Sequence, residues 1–276
     1  MLKIGSYVAF KNPSYLLGAL EESLSYQANA MMIYLGSPQY LKRIVPISSY
    51  KLDEYLKHKD HFPLENIVIH APYVINPASP KLAKKAELFL IEEIEKINYL
   101  KAKYLILHPG FSTIYDVSQA IETLIITLKN ILASTKDVTI LLETMSGKSS
   151  QVGSDFGQLS YIIKKVNSKR IGICFDTCHV WDSGYDLTNT NQLISDLGKY
   201  DLLDKIKVFH INDSKYELGS KKDRHANLKK GKIPFKAIHQ IVHNPIFKDS
   251  IFILETPIKD GNFYKEEIAI LREKLI

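Results

Sequence analysis

Nine side chains of metal-ligand type stand at or just beyond the ends of apolar segments: His70, His108, Glu143, Asp176, His179, His210, Asp223, His225 and Glu255. The blocks that carry them read IVIHAPY, LILHPG, TILLETM, GICFDTCH, KVFHIND, DRHANL and FILET. Most are apolar runs that stop at a His, Asp or Glu. A crowd of imidazoles and carboxylates is costly to bury without compensating positive charge. Divalent cations supply that charge, so the set reads as a multinuclear metal site.

His70 and His108 are each followed closely by proline, in HAP and HPG, which ends a strand and leaves the ring at its mouth. One such histidine is more simply a buried, hydrogen-bonded residue. Two at equivalent positions on neighbouring strands favour ligation. Glu143 and Glu255 close the runs VTILLE and FILE. No basic residue ends a neighbouring strand, so a metal is their better partner, and a carboxylate can bridge two ions. Asp176 and His179 form D-x-x-H. Asp223 and His225 form D-x-H, and in extended chain positions i and i+2 face one side, so this pair is expected to grip one ion. A nitrogen and oxygen donor set suits zinc, with manganese or iron as alternatives. Cys174 is expected to face the core, and Cys178 sits between better ligands, so neither is read as a ligand. His58, His61, His239 and His243 are expected at the surface.

Parallel strands in a barrel open their active site at the strand C-termini, and that is the element these residues require. Strands are predicted near 3–9, 30–35, 67–71, 104–108, 138–143, 171–176, 206–212 and 251–255. They are continuous apolar runs, the pattern of parallel strands buried on both faces. Helical periodicity falls near 14–27, 50–58, 80–102, 116–134, 155–166, 191–203, 233–242 and 264–275. The third helix is expected to start at Ser79 as N-cap with Pro80 in its first turn. Eight such alternations, with no linker or repeat between them, predict one (β/α)8 TIM barrel of the xylose-isomerase-like type over residues 1–276. A doubly wound open sheet gives no reason for six successive strands to end in ligand-type residues.

The composition is that of a soluble globular chain, 45% hydrophobic and 24% charged over 276 residues. The two cysteines lie in one motif and form no disulfide framework, which suits a reducing cytoplasm. The first residues read as a strand without a leader, and no run reaches transmembrane length. The formal charge is +6; three divalent ions would double it and favour a phosphate backbone over a neutral sugar. Several loop residues are placed to meet such a backbone. Tyr73 and Val74 follow His70 at the mouth. LGSPQYLKR brings Gln39, Tyr40, Lys42 and Arg43 to the same rim. The basic stretch around Asp223 adds Lys221, Lys222 and Arg224.

Together the blocks HAPYVIN, LHPG, LLET, GICFDTCHVWDSGYDL, HINDSK, GSKKDRHANL and ILET resemble the endonuclease IV family of apurinic/apyrimidinic endonucleases, in order and spacing across nearly the whole chain. The resemblance implies a (β/α)8 barrel holding three zinc ions. One would take His70, His108 and Glu143; a second would share Glu143 with Asp176, His210 and Glu255; the third would take His179, Asp223 and His225. It makes Glu143, Glu255 and His108 catalytic. It gives Tyr73, Val74, Gln39, Lys222 and Arg224 the contacts to DNA. The implied reaction is hydrolysis of the phosphodiester 5′ to an abasic site, leaving a 3′-hydroxyl and a 5′-deoxyribose phosphate, with trimming of blocked 3′ ends, by a monomer on double-stranded DNA. The chain departs from the family at Tyr7, where a histidine is usual, and at Gln39, where some members carry arginine. A metal-dependent sugar isomerase of the same barrel class is the competing enzyme, and a zinc-stabilised binding protein the competing non-enzyme. The two aspartate–histidine pairs and the basic loop favour the nuclease.

Overall fold

The computed structural model describes residues 2–259 and 261–274. In chain order its elements are β1 (Lys3–Tyr7), α1 (Tyr15–Ser25), β2 (Ala30–Ile33), α2 (Leu52–Leu56), β3 (Ile67–His70), α3 (Ala83–Tyr99), β4 (Tyr104–Leu107) and α4 (Val117–Ser134). Then come β5 (Thr139–Glu143), α5 (Phe156–Val166), β6 (Ile171–Asp176), α6 (Thr177–Ser183), α7 (Thr190–Lys199), β7 (Ile206–Ile211), β8 (Asp213–Ser214), β9 (His225–Ala226), α8 (Phe235–Val242), β10 (Ile251–Leu254) and α9 (Tyr264–Arg272). Eight of the strands close a parallel barrel in the order β1-β10-β7-β6-β5-β4-β3-β2, and β8 and β9 form a separate antiparallel pair.

Strand side chains alternate between the barrel interior and the helix layer. Ala30, Met32, Val68, Ile106, Leu141, Cys174, Val208, Ile251 and Ile253 pack inside. Their neighbours, such as Phe175, Phe209 and Leu142, pack outward against the helices. Gly5 is part of the inner crowding, since a Cβ there would lie 1.6 Å from the Ala30 carbonyl oxygen. The same period of two carries past the strand ends. Two residues beyond an interior side chain stand His70, Glu143, Asp176 and His210 on β3, β5, β6 and β7, and His108 and Glu255 one residue past β4 and β10. The barrel therefore delivers all six to one mouth.

Some expectations need correction. The α3 helix begins at Ala83, with Leu82 rather than Ser79 as its cap. Ser79 and Pro80 belong to the preceding turn, where the Ser79 carbonyl accepts from Leu82 and Ala83. The last predicted helix stops at Arg272, and its predicted end at residue 275 lies outside the described residues. His239 is buried, donating to the Glu273 carbonyl at 2.6 Å, and His243 stacks on it with ring centroids 4.1 Å apart. The short α6 and the β8–β9 pair have no counterpart among the predicted elements. Among the described residues, no helix is long and apolar enough to cross a membrane.

Candidate metal centre

Glu143 ends β5 at the middle of the mouth, with 1% of its surface exposed. Its Oε2 lies 3.1 Å from His70 Nε2 and 3.1 Å from His108 Nε2. Its Oε1 lies 3.1 Å from His210 Nδ1 and 3.3 Å from His179 Nδ1. His210 Nδ1 also sits 3.0 Å from Glu255 Oε2 and 3.8 Å from Asp176 Oδ2. On the far side, His225 Nε2 is 3.7 Å from Asp176 Oδ2, and His179 Nε2 is 3.0 Å from Asp223 Oδ1. The fold thus brings all nine sequence-predicted residues into one connected cluster.

Within it, four sets of potential ligand atoms lie inside 4.8 Å of one another: His70, His108 and Glu143; Glu143, Asp176, His210 and Glu255; Asp176, His179 and His225; and, overlapping the first two, His70, His210 and Glu255. The first two coincide with the sets the family resemblance implied. In the third, Asp176 stands where Asp223 was expected; Asp223 Oδ1 lies 3.0 Å from His179 Nε2 and lines the same cavity as His225. The extended-chain argument for the D-x-H pair does not hold, because Asp223 has φ +55. Its backbone is instead fixed by α6, its N–H donating to Asp182 Oδ2 at 2.7 Å.

The residues fit a metal on tautomer grounds. His70 Nδ1 lies 2.6 Å from the Ala71 carbonyl, His179 Nδ1 2.9 Å from that of Thr144 and His225 Nδ1 3.2 Å from that of Glu255. A carbonyl accepts, so each Nδ1 carries a hydrogen and each Nε2 is the ring nitrogen left in the cluster to take a metal or a second proton. His225 Nε2 is buried there without a hydrogen-bond partner, its lone pair aimed among the other ligand atoms. Asp176 is held likewise: Oδ1 accepts from the His179 N–H at 2.8 Å, capping α6, and Oδ2 accepts from Asn212 Nδ2 at 2.7 Å.

The electrostatics agree. Burial opposes ionisation of Glu143, yet His108 and His210 outweigh it and hold its carboxyl well below the usual range. Glu255 is likewise lowered to about 2, where His210 overcomes burial. Burial works against charge on His179, but Asp176, Asp223 and Glu143 raise it well above an ordinary histidine. A site that draws protons this strongly draws cations, which compete for the same lone pairs. Both cysteines stay out of it. Burial pushes the Cys174 thiol up to about 12 and raises Cys178 further, so neither offers a thiolate.

A cavity of about 280 Å³ opens over the cluster, and Tyr34, Tyr73, Phe111 and Gln151 complete its wall. Larger hollows of about 490 and 480 Å³ lie elsewhere and are lined by lysine and aspartate without histidine. Tyr34, Phe111, Gln151, Asn212 and Asp182 were not singled out from sequence. Tyr34 could have been, since it stands two residues beyond Met32 in the inward register of β2. Its ring packs 4.9 Å from that of His70, and Tyr7 packs on Tyr34 at 5.7 Å.

Of the residues expected at the rim, Tyr73 and Val74 are 40% and 44% exposed. Lys222 is exposed, and Gln39 and Arg224 reach solvent. Arg43 is not available there. Its buried guanidinium pairs with Glu93 of α3 at 2.9 Å and donates to the Ser37 and Tyr40 carbonyls, tying the loop after β2 to the helix layer.

A family model described as a xylose isomerase-like TIM barrel matches residues 20–274. The chain is 50% identical to the probable endonuclease 4 of Mesomycoplasma hyopneumoniae strain 7448, covering 100% of both. It is 48% identical to that of Mycoplasmopsis agalactiae, covering 99% of both. The crystal structure of endonuclease IV from Thermus thermophilus superposes with a TM-score of 0.85 at 27% identity, over 98% of this chain and 97% of that one. A D-tagatose 3-epimerase-like protein superposes at 0.72 with 22% identity, a likeness of fold alone.

Proposed function

This chain belongs to the endonuclease IV family of xylose isomerase-like TIM barrels, and from that membership we propose a zinc-dependent apurinic/apyrimidinic endonuclease that cuts DNA on the 5′ side of an abasic nucleotide. At the coarser level the protein is a metal-dependent deoxyribonuclease of DNA repair. The finer reading assigns three zinc ions, a 3′-hydroxyl and a 5′-deoxyribose phosphate as products, trimming of blocked 3′ ends, and action as a cytoplasmic monomer.

The observation that carries the reading is Glu143, one buried carboxylate with four imidazole nitrogens within 3.3 Å. Its carboxylate would serve as a ligand to metal held with His70 and His108 on one side and with Asp176, His210 and Glu255 on the other. Bound zinc supplies Lewis acidity toward a phosphate oxygen and lowers the pKa of its water towards ~7. The protein's own residues do the rest. Glu143, His108 and Glu255 all line the open cavity, so a phosphodiester entering it meets ligands from β4, β5 and β10. Asn212 keeps Asp176 from turning, and the carbonyls of Ala71, Thr144 and Glu255 do the same for His70, His179 and His225. Lys222 and Arg224 flank Asp223 for the backbone of the strand, with Gln39, Tyr73 and Val74 on other loops of the rim.

The test is metal analysis of purified protein beside cleavage of a duplex holding one abasic analogue. The expected result is close to three zinc per chain and a single cut 5′ to the analogue. Glu143→Gln should then lower turnover by orders of magnitude while damaged duplex still binds. Near-normal cleavage by that variant, or ketose isomerisation in place of cleavage, overturns the reading.

A further inference from the structure

Phe111 stands on the wall of the cavity, in the loop after β4, ligating nothing. What is unusual is how its backbone is held. Asn76, buried in the loop after β3, accepts from the Phe111 N–H at 3.0 Å and donates to the Phe111 carbonyl at 3.0 Å. The same Oδ1 accepts from Ala78 N–H at 3.2 Å. One side chain thereby satisfies both polar groups of the residue that faces the cavity. Gly110 makes room for this: its φ is +108, and a Cβ there would lie 2.3 Å from Asn76 Oδ1. From the other side, Phe111 bridges Gln151 in antiparallel fashion, Ser112 N–H donates to the Ser150 carbonyl at 2.8 Å and Val152 N–H to that of Gly110 at 2.9 Å. Three loops are stitched together at the point where Phe111 meets the cavity.

We propose that Phe111 is a specificity-determining residue that bars nucleotides still carrying a base, and that Asn76 is the positioning residue that stops it from retreating. The inference rests on the abasic-site reading and names how that selectivity is built. The cavity, about 280 Å³, lies at the lower edge of the roughly 300–1,000 Å³ of ordinary small-molecule pockets. On this proposal a bare deoxyribose phosphate fits beside Phe111, and a base on the sugar would collide with its ring. Discrimination of this kind comes from a clash against the wrong ligand, and a clash discriminates only if the clashing group cannot move. Tyr73 and Val74 lie on the same loop as Asn76, so the part that reaches out and the part that gauges the pocket move as one.

The experiment uses metal-loaded full-length protein with two duplexes, one holding a tetrahydrofuran abasic analogue and one an intact thymidine at the same position. Phe111→Ala should raise cutting at the intact position from background and lower the ratio of abasic to intact cleavage at least tenfold. Asn76→Ala should shift that ratio the same way, and the double variant should shift it no further than Phe111→Ala alone. Metal content should match wild type in all three. A Phe111→Ala enzyme with unchanged ratio overturns the role of Phe111. Additive effects in the double variant, or loss of metal in Asn76→Ala, reduce Asn76 to a fold residue. A wild-type enzyme that cuts both duplexes alike instead sinks the abasic-site reading on which the inference stands.

Discussion

Asp182 has no exposed surface, and among the described residues no lysine, arginine or histidine pairs with it. It accepts from Ser214 Oγ at 2.6 Å and from the Asp223 N–H at 2.7 Å. The second bond holds Asp223 at a positive φ that a non-glycine residue rarely keeps unaided. Asp182→Ala should cost about 1–3 kcal/mol in denaturant unfolding, and should weaken retention of the metal nearest His179. An asparagine can accept from Asp223 and donate to Ser214, so Asp182→Asn should restore both properties. Full metal content in the alanine variant would remove Asp182 from the site's support. Glu267 poses a different case. Burial raises its carboxyl above the ordinary value, against hydrogen bonds from Thr256, Leu228 and Asn227. The folded state therefore favours its protonated form, and stability is lost as pH rises from the unfolded value of about 4.3 through the folded pKa. Glu267→Gln should melt no lower than wild type at pH 7, with its relative advantage shrinking towards pH 4; a large loss at pH 7 would show that the carboxylate is needed charged. The nine ligand-type residues were legible because most of them stop an apolar run. Arg43 was misread because its partner Glu93 lies fifty residues away, a pairing no local pattern reveals. Asp182 was passed over because its partners belong to β8 and the loop before β9.

At the scale of elements, the mouth is built of loops with different anchors. The segment carrying Lys222 and Asp223 is fastened to α6: Trp181 Nε1 donates to the Tyr216 carbonyl at 3.0 Å, and the carbonyls of Trp181 and Asp182 accept from Gly219 at 3.0 Å and Lys221 at 2.9 Å. The loop after β3 is fixed through Asn76, leaving Tyr73 and Val74 proud of it. Stacking on a nucleic acid base contributes roughly 1–3 kcal/mol, so Tyr73→Ala should weaken binding of abasic duplex about ten- to a hundredfold. Undamaged duplex, bound chiefly through phosphates, should lose little, and equal losses on both would leave Tyr73 a mere rim residue. The barrel strands could be read from sequence because their length and apolar continuity are strong signals. β8 and β9, with two residues each, carry no periodicity to read. The α6 helix was hidden inside D-T-C-H because its cap, Asp176, is also a ligand candidate.

Across the molecule, one hydrophobic layer lies between strands and helices and a second inside the barrel, and both can be complete without the mouth. Metals should therefore act as stabilising ligands of a fold that forms without them. A site held at a thousandfold excess over its dissociation constant contributes about 4 kcal/mol, which corresponds to a shift of roughly 10 °C for a chain of this size. Chelation should lower the thermal midpoint by that order while leaving a cooperative transition and the far-ultraviolet circular dichroism of an α/β protein. Complete unfolding on chelation at 25 °C would make the metals part of the core.

The mouth of the barrel is not a closed ring. Six consecutive strands present ligand-type residues, while β1 and β2 present the phenols Tyr7 and Tyr34 at the matching register. The imidazoles and carboxylates therefore fill one side of the mouth, with His70 next to Tyr34 and Glu255 next to Tyr7, and the phenols fill the other. A nucleic acid strand has a direction, and only an asymmetric receptor can sense it. On the proposed abasic-site reading, the two neutral strands would give the enzyme a compass by which to tell the phosphate before a lesion from the phosphate after it.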